Sequence, residues 1–442
     1  MRVLRDSRFR FGFLLLSLSL ALAGDAWRYA FGWWTFGVLG VLSALAAVGI
    51  LIADRARWRF AALPYPLLVF LALATVSLTW SAYPAASALG LLTTWMLVVT
   101  GAAIAIGFSW AQLRRALSIV LKVVLAGSLL FELFVALVIR APILPLAPQI
   151  HQDPADFEKI PKLLYWSRNE LFEVFDEGRI QGLVGNANHL GFLALLALIV
   201  IGIELAERTR SRWRSIVWLA VAGVVLLCAR SATVTVALVV VAAVIGVVLL
   251  LRLEQSPRAR AITYGALAAG TALAVTLAIV FRSTLLDLLG KSADLTGRVG
   301  IWEKVIELAQ QRPGFGWGWV SYWVWWAEPF DDLAFRHGVR MLQAHNAWLD
   351  VWFQLGIAGL VVFGALVLST LVRAWSQAID RGQRVPGEPL PYRATALLPL
   401  AILVALLVQS LAESRLLVEF GMLLLALFAV KTKLDQNVGG ST

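Results

Sequence analysis

Residues 231–251 read SATVTVALVVVAAVIGVVLLL, a stretch of twenty-one residues without a charge. As a helix, a stretch of this length spans the hydrocarbon core of a bilayer, which is about 30 Å thick. Its apolar residues are continuous rather than alternating, which favours a helix over a strand of a membrane barrel. The stretch therefore predicts a transmembrane helix.

The composition of the whole chain agrees with this interpretation. Of its 442 residues, 60% are hydrophobic and only 15% are charged, whereas a soluble domain is about half apolar and a quarter charged. This composition excludes a soluble globular protein and a disordered chain. A disulfide scaffold is excluded because Cys228 is the single cysteine of the sequence.

Eleven further apolar runs predict helices of the same kind, so the fold class is an all-α polytopic membrane protein with residues 1–442 in a single membrane domain. The twelve predicted spans are 11–26, 32–53, 60–80, 85–107, 116–139, 183–205, 215–229, 231–251, 261–281, 346–372, 394–412 and 415–430. Two long external loops remain, at residues 140–182 and 282–345.

The basic residues predict the orientation of these spans. The seven segments assigned to the cytoplasm total 75 residues and hold 22 of the 38 Lys and Arg, and positive charge near span ends marks the cytoplasmic side. Both termini are therefore expected in the cytoplasm. The net charge of +11 is a topology signal, so nucleic acid is not expected as a partner. Residues 2–24 also resemble a cleavable signal peptide, but an uncleaved first span is preferred.

Each external loop contains a helical pattern. In the first loop, the spacing of Ile160, Leu163, Leu164, Leu171, Phe172 and Phe175 predicts an amphipathic helix on the membrane surface. In the second loop, Thr296 is predicted to cap a helix that stops at Arg312-Pro313-Gly314. The apolar side of that helix would be formed by Val299, Trp302, Val305, Ile306 and Ala309. Arg282 is expected to anchor at the headgroups.

The short cytoplasmic loops contain no phosphate loop or nucleotide fingerprint, so a function powered by cytoplasmic ATP is not expected. The polar residues that are hardest to explain as membrane anchors lie on the external side. They are Arg179, Asn186, Asn188, Arg230, Arg298, His345, Asn346 and Glu413.

His345 precedes a span that contains Gly356 and Gly359. If the helix is continuous, these glycines lie within about 20° and 40° of His345 on one face. That face would admit a neighbouring helix or an isoprenoid tail, and simple helix packing is the alternative. An external imidazole can accept a proton from a hydroxyl group.

Arginine side chains on the same membrane face can hold a diphosphate through two-pronged hydrogen bonds. Arg230 lies between two apolar spans, where a charge must face water or a partner. Simple ion pairs remain alternatives, with Asp294 or Glu303 for Arg298 and with Asp176 or Glu177 for Arg179. No group of acidic, His and Cys residues has metal-ligand spacing, so neither a metal nor a cofactor is implied. The aromatic residues of segment 315–326 are expected either in an interfacial belt or stacked on sugars.

Three motifs resemble the bacterial O-antigen ligases. They are His345-Asn346 followed by nine residues and Gly356-x-x-Gly359, the segment Arg179-Ile180-Gln181-Gly182-Leu183, and Thr296-Gly297-Arg298 with Trp302. The resemblance covers residues 179–360, and the wider superfamily also includes O-antigen polymerases. Ala187 departs from the family pattern, in which proline is expected between the two asparagines.

The resemblance implies a GT-C-like, metal-independent, inverting glycosyltransferase of the bacterial inner membrane. It would transfer a glycan from undecaprenyl diphosphate to the lipid A core, with its active site facing the periplasm and capped by residues 282–345. In this scheme His345 activates the acceptor hydroxyl and Arg179, Arg230 and Arg298 hold the diphosphate. Asn186, Asn188, Asn346, Gly356 and Gly359 would support the site. A glycan polymerase and a transporter of lipid-linked sugars remain the alternatives, and the oligomeric state is not predicted.

Overall fold

The computed structural model describes residues 2–147, 153–253, 256–281, 284, 297–336, 338–380, 383–385, 388–389 and 391–439. Across these residues the chain forms fourteen α-helices and two short antiparallel hairpins. The helices are α1 (Arg2–Arg5), α2 (Ser7–Leu22), α3 (Gly24–Ala53), α4 (Tyr65–Val76), α5 (Pro84–Gly107), α6 (Trp110–Phe134), α7 (Ala187–Ala206), α8 (Arg212–Ala229), α9 (Ala232–Leu253), α10 (Pro257–Val280), α11 (Arg298–Gln311), α12 (Ala347–Ile379), α13 (Leu398–Ser410) and α14 (Glu419–Gly439). The hairpins pair β1 (Phe335–Arg336) with β2 (Val339–Arg340) and β3 (Gln383–Val385) with β4 (Glu388–Pro389).

The helices α2–α10 and α12–α14 overlap the twelve predicted spans one by one. Seven helical segments of the described chain are long and apolar enough to cross a bilayer, namely α3, α5, residues 110–139 around α6, α7, α8, α9 and α12. The polytopic helical architecture is therefore confirmed, whereas the exact number of crossings stays a prediction.

Helix α7 lies at the centre of the bundle. Most of its residues are buried, including an unbroken run from Leu190 to Ala197. It packs against α6, α8, α9 and α13, so the first turn of α7 is held firmly at one end of the bundle. We call this end, which carries Asn188 and His345, the site end.

The start of α3 differs from its prediction. The helix begins at Gly24, directly after Ala23, rather than near residue 32. A break at Gly32, where φ is +84°, separates residues 24–31 from the rest. Glycine adopts this left-handed conformation without the steric cost that a side chain brings. The predicted loop between the first two spans is therefore short and mostly helical.

The amphipathic helix predicted between residues 160 and 175 is not formed. The segment contains separate 3-10 turns at Lys162–Leu164 and Leu171–Asp176. Asn169 lies between them with φ of +58°, a left-handed conformation that interrupts a right-handed helix. Phe172 and Phe175 remain 65% and 97% exposed.

The helix predicted in the second long loop is confirmed as α11. It ends at Gln311, and its buried side consists of Ile301, Val305 and Ala309. The predicted apolar side is thus only partly correct, because Val299, Trp302 and Ile306 are half-buried. Gly297 precedes the first turn without a side-chain cap. The predicted cap Thr296, the predicted anchor Arg282 and the alternative partner Asp294 lie outside the described residues.

Segment 316–323 enters the helix bundle without forming a helix. Trp319 is fully buried, and its backbone N–H donates to Oγ of Ser77 at 3.0 Å. The N–H groups of Val320 and Ser321 both donate to Oε1 of Gln354 at 2.9 Å. Buried backbone of this kind is stable because its polar groups find partners within the protein. Neither predicted role, belt or sugar platform, describes the buried Trp319.

Gly356 interrupts α12 with φ of +67°, so the continuous helix assumed for residues 345–359 is wrong. The backbone of segment 313–316 fills the face of the break, and a Cβ on Gly356 would collide with the carbonyl group of Gly314. The N–H groups of Ile357 and Ala358 donate to the carbonyls of Pro313 and Gly314 at 2.8 and 3.1 Å. Gly356 therefore admits a loop of the same chain rather than a neighbouring helix or a lipid tail. A Cβ added to Gly359 would instead meet Leu355 and Val351 of its own helix.

Candidate functional site

His345 and Glu413 lie within hydrogen-bonding distance of each other at the site end of the bundle. Nδ1 of His345 lies 2.9 Å from Oε2 of Glu413. His345 has a left-handed backbone, with φ of +53°, and Asn346 caps α12 by accepting hydrogen bonds from the N–H groups of Trp348 and Leu349. The imidazole is thus held at the mouth of α12 by its backbone and by one carboxylate.

The second oxygen of Glu413 binds Arg298. NH2 of Arg298 donates to Oε1 of Glu413 at 2.8 Å, and Nδ2 of Asn188 donates to the same oxygen at 3.3 Å. Burial raises the pKa of Glu413, but the charges of His345, Arg298 and Arg415 outweigh burial and lower that pKa to about 2. Glu413 is therefore a charged hub of the site at neutral pH.

Asn188 connects this hub to Arg179. NH2 of Arg179 donates to Oδ1 of Asn188 at 2.8 Å, and Nε of Arg179 donates to the carbonyl of Ala229 at 3.0 Å. Within the described chain, the Arg179 guanidinium thus binds an amide and a carbonyl rather than Asp176 or Glu177. Burial and then the charge of Arg168 lower the pKa of Arg179 to about 10. Arg179 is still a cation at neutral pH, and an anionic ligand would relieve the repulsion that it experiences.

Arg230 lies beside this group without binding Glu413. It ends α8 in a left-handed conformation and its side chain is exposed. NH1 of Arg230 donates to the carbonyl of Val174 at 2.6 Å. The next residue, Ser231, donates to Oδ1 of Asn188 at 3.0 Å. The structure thus joins Arg298, Arg179 and His345 through hydrogen bonds, with Arg230 as an exposed neighbour.

Asp350 lies behind the pair of His345 and Glu413 and is fully buried. Its carboxylate accepts hydrogen bonds from the hydroxyl of Ser414, from Nε1 of Trp323 at 2.8 Å and from the backbone N–H of Ala344 at 3.1 Å. Ala344 and Ser414 are the immediate chain neighbours of His345 and Glu413. Asp350 therefore connects the two segments that carry His345 and Glu413.

A buried network of four charges adjoins the hub. Arg415 pairs with Asp25 at 3.0 Å and with Glu419 at 2.7 Å, and Arg28 pairs with both of these acids. Balanced, hydrogen-bonded charges of this kind are tolerated in a protein interior. Arg415 and Glu419 are four residues apart in the chain, whereas Asp25 and Arg28 belong to α3.

Two of the supporting residues have structural roles. Asn186 caps α7 by accepting a hydrogen bond from the N–H of His189 at 3.1 Å, as Asn346 caps α12. Ala187 occupies the first helical position of α7. Proline is favoured at that position because it has no N–H that would go unpaired, so the alanine here satisfies the same backbone geometry.

Sequence reasoning identified Arg179, Asn188, Arg298 and His345, which the structure brings together. It named Glu413 as an unexplained polar residue but assigned no role to it or to Asp350. The available signal was the polar break Glu413-Ser414-Arg415 between two apolar runs, since charges near membrane spans are costly without a function or a partner. Among the described residues, no group of three or more His, Cys, Asp or Glu could hold a metal ion.

These observations define a helical polytopic membrane protein with a charged site at one end of its bundle. A family model described as O-antigen ligase matches residues 216–364, about a third of the chain. This match supports membership of the chain in the O-antigen ligase and polymerase superfamily. The members are glycosyltransferase-like enzymes that act on lipid-linked sugars. The matched segment contains Arg230, Arg298 and His345, whereas Arg179 and Glu413 lie outside it. No curated protein matches the chain.

Proposed function

We propose that the protein is an O-antigen ligase of the bacterial inner membrane. It transfers a glycan from undecaprenyl diphosphate to a sugar hydroxyl of the lipid A core, with inversion and without a metal. The site faces the periplasm and both termini are cytoplasmic, in keeping with the distribution of basic residues. The observation that carries this proposal is the cluster of His345, Glu413 and Arg298.

In the proposed reaction His345 is the general base. Glu413 accepts a hydrogen bond from Nδ1–H, which leaves the lone pair of Nε2 for the acceptor hydroxyl. The hydroxyl oxygen attacks the anomeric carbon while the bond from that carbon to the diphosphate oxygen breaks. The proton moves to Nε2, and undecaprenyl diphosphate leaves from the opposite face. Direct displacement of this kind inverts the configuration of the anomeric carbon.

The arginines stabilise the diphosphate in this scheme. The departing group gains negative charge, and guanidinium groups placed in advance stabilise that charge with little reorganisation. Arg179 and Arg298 are linked to His345 through Asn188 and Glu413, which supports a shared role at one reaction centre. Arg230 adds an exposed cation beside them.

Reconstituted full-length protein tests the proposal. With lipid-linked glycan and lipid A core as substrates, we expect a joined product. Formation of longer lipid-linked chains instead would identify a polymerase of the same superfamily. His345→Ala should reduce transfer by about 10² or more if the histidine is a general base. Arg312→Gln is a matched control, because Arg312 stacks over Trp317 and is not part of the proposed site.

The same variant, His345→Ala, distinguishes glycan transfer from transport of a lipid-linked sugar. A transporter that only moves its substrate across the bilayer needs no general base, so transport should largely survive His345→Ala. Loss of transfer with retained movement of the labelled donor across vesicles would contradict a transport-only function. Retained transfer in the variant would contradict the catalytic role of His345.

A further inference from the structure

We infer that residues Leu171–Asp176 form a contact site for the isoprenoid chain of a prenyl diphosphate, immediately beside Arg230. This inference rests on the proposed function, which it deepens by locating the apolar part of the donor. The segment is called the phenylalanine turn below.

The phenylalanine turn places two large apolar side chains in the open. A 3-10 helix has three residues per turn, so residues three apart share one face. Leu171 and Val174 face inward and pack against the apolar core. Phe172 and Phe175 occupy the next face and are 65% and 97% exposed. Exposed adjacent phenyl rings on an ordered turn indicate an apolar ligand.

A cation is bound to the same turn. The exposed Arg230 donates to the carbonyl of Val174, which lies between the two phenylalanines in the chain. The turn thus presents a guanidinium group and two phenyl rings side by side. This combination suits an amphiphile with an anionic head and an apolar chain, because the head binds arginine while the chain covers the rings.

Exposed apolar residues also lie near the end of α8 that carries Arg230. Val224 and Leu227, one turn apart near the end of α8, are 49% and 70% exposed. Ser231 joins the same end of α8 to Asn188 and so to Glu413. A diphosphate at Arg230 would therefore lie near exposed apolar residues of α8, at the helix end that is linked to the reaction centre.

Two other locations are less suitable. The space beside Gly356 of α12 is filled by the backbone of segment 313–316. A groove of about 550 Å³ beside Trp80, Arg312 and Phe315 combines aromatic rings with a cation. The Arg312 guanidinium there lies over the ring of Trp317, 4.3 Å from its centroid. Phe315 in this groove is 60% exposed. Its substitution therefore serves as a control for binding of the prenyl chain at this alternative site.

Binding of geranylgeranyl diphosphate and of inorganic diphosphate to the purified full-length protein, measured by calorimetry, tests the inference. The double variant Phe172→Ser/Phe175→Ser should bind geranylgeranyl diphosphate about tenfold more weakly or worse, because it removes the apolar contact of two rings. Its affinity for inorganic diphosphate should not change. Phe60→Ser and Phe315→Ser, at two other exposed phenylalanines, should bind both ligands like the parent protein.

Photo-crosslinking identifies the occupant in a bilayer. The photo-reactive residue p-benzoylphenylalanine at position 175 should attach to undecaprenyl diphosphate in nanodiscs of phosphatidylethanolamine and phosphatidylglycerol. Adducts with phospholipid alone would overturn the inference. The inference would also be overturned if the double variant kept its affinity for geranylgeranyl diphosphate or lost as much affinity for inorganic diphosphate. A loss of affinity for geranylgeranyl diphosphate alone in Phe315→Ser would overturn it as well.

The tests of the contact site can succeed or fail independently of the test of the ligase reaction. The binding and crosslinking experiments require no transfer. Prenyl-selective binding without a joined product would contradict the ligase reaction and retain the contact site. A joined product with normal binding by the double variant would contradict the contact site and retain the reaction.

Discussion

Oε2 of Glu413 lies 2.9 Å from Nδ1 of His345, while Oε1 of the same carboxylate lies 2.8 Å from Arg298. One buried side chain thus links the proposed base to a proposed ligand of the leaving group. An anion that binds Arg298 competes with Glu413 for the guanidinium. Under the proposed function, binding of the donor at Arg298 would therefore change the position and polarity of His345.

Glu413→Gln should reduce kcat of transfer by about tenfold or more. The amide has the shape of the carboxylate but lacks the charge that orients His345 and stabilises its protonated form. Glu307→Gln on α11 is the control, because Glu307 is exposed. Kinetics in reconstituted vesicles measure the effect, and parental kcat in Glu413→Gln would contradict the role of the carboxylate.

Thermal unfolding of the parent protein and of Glu413→Gln at several pH values tests the ionisation of Glu413. Its pKa is lowered from 4.5 to about 2, so its charge stabilises the fold above the unfolded pKa and that contribution is lost as pH falls through the folded pKa. The difference in Tm between the parent and Glu413→Gln should persist at pH 5, above the unfolded pKa of 4.5, and narrow as the buffer becomes more acidic. A difference that disappears already near pH 6 would be inconsistent with the lowered pKa.

Arg179→Gln should raise KM for the donor by about tenfold, since a charge-assisted hydrogen bond to phosphate contributes about 1.5–3 kcal/mol. KM for the acceptor should change little. Initial rates at varied donor concentration measure the effect, with Arg312→Gln as the control. An unchanged donor KM would remove Arg179 from the diphosphate site.

Asp350→Asn should lower kcat and leave both KM values unchanged. Asp350 is a positioning residue, because it acts on the reaction through Ala344 and Ser414. Asparagine has one acceptor oxygen where aspartate has two, and its NH2 group cannot accept from the remaining donor. The geometry between His345 and Glu413 therefore loosens. Steady-state kinetics and Tm are measured together. A loss of Tm with normal kcat would indicate a purely structural role, and Asp350→Glu should recover part of kcat.

Gly356→Ala should destabilise the protein by at least about 2 kcal/mol, through backbone strain and collision with segment 313–316. Gly364→Ala lies on the same helix, and no heavy atom within 4 Å opposes its added Cβ. Thermal unfolding in detergent should show a lower Tm for Gly356→Ala and a Tm at or slightly above that of the parent for Gly364→Ala. Equal Tm values for the two variants would contradict the tight packing at the break.

The helical spans and α11 could be predicted because their signals are local. A membrane span requires a continuous apolar run, and α11 requires apolar residues at a helical period before a proline. The phenylalanine turn could not be predicted in the same way. The spacing of Leu163, Leu171 and Phe175 permits an α-helix, but the left-handed conformation of Asn169 divides the segment into turns.

Non-local contacts decided the shape of the glycine motif and the aromatic segment. The sequence shows that Gly356 lacks a side chain, but only the approach of Gly314 explains its left-handed backbone. Trp319 is indistinguishable in sequence from a tryptophan of an interfacial belt. Its burial depends on Ser77 and Thr94, which are more than two hundred residues away in the chain.

By itself the sequence determined an apolar helical protein and placed His345, Arg298 and Arg179 among its candidate site residues, because hydropathy and short motifs are properties of neighbouring residues. Only the tertiary structure decided that Glu413 joins His345 to Arg298 and that Asp350 supports the segments on both sides. Those relationships are distances between α12, α11 and the segment after α13. They exist only once helix packing brings together residues such as Arg298 and Glu413, which are 115 positions apart in the chain.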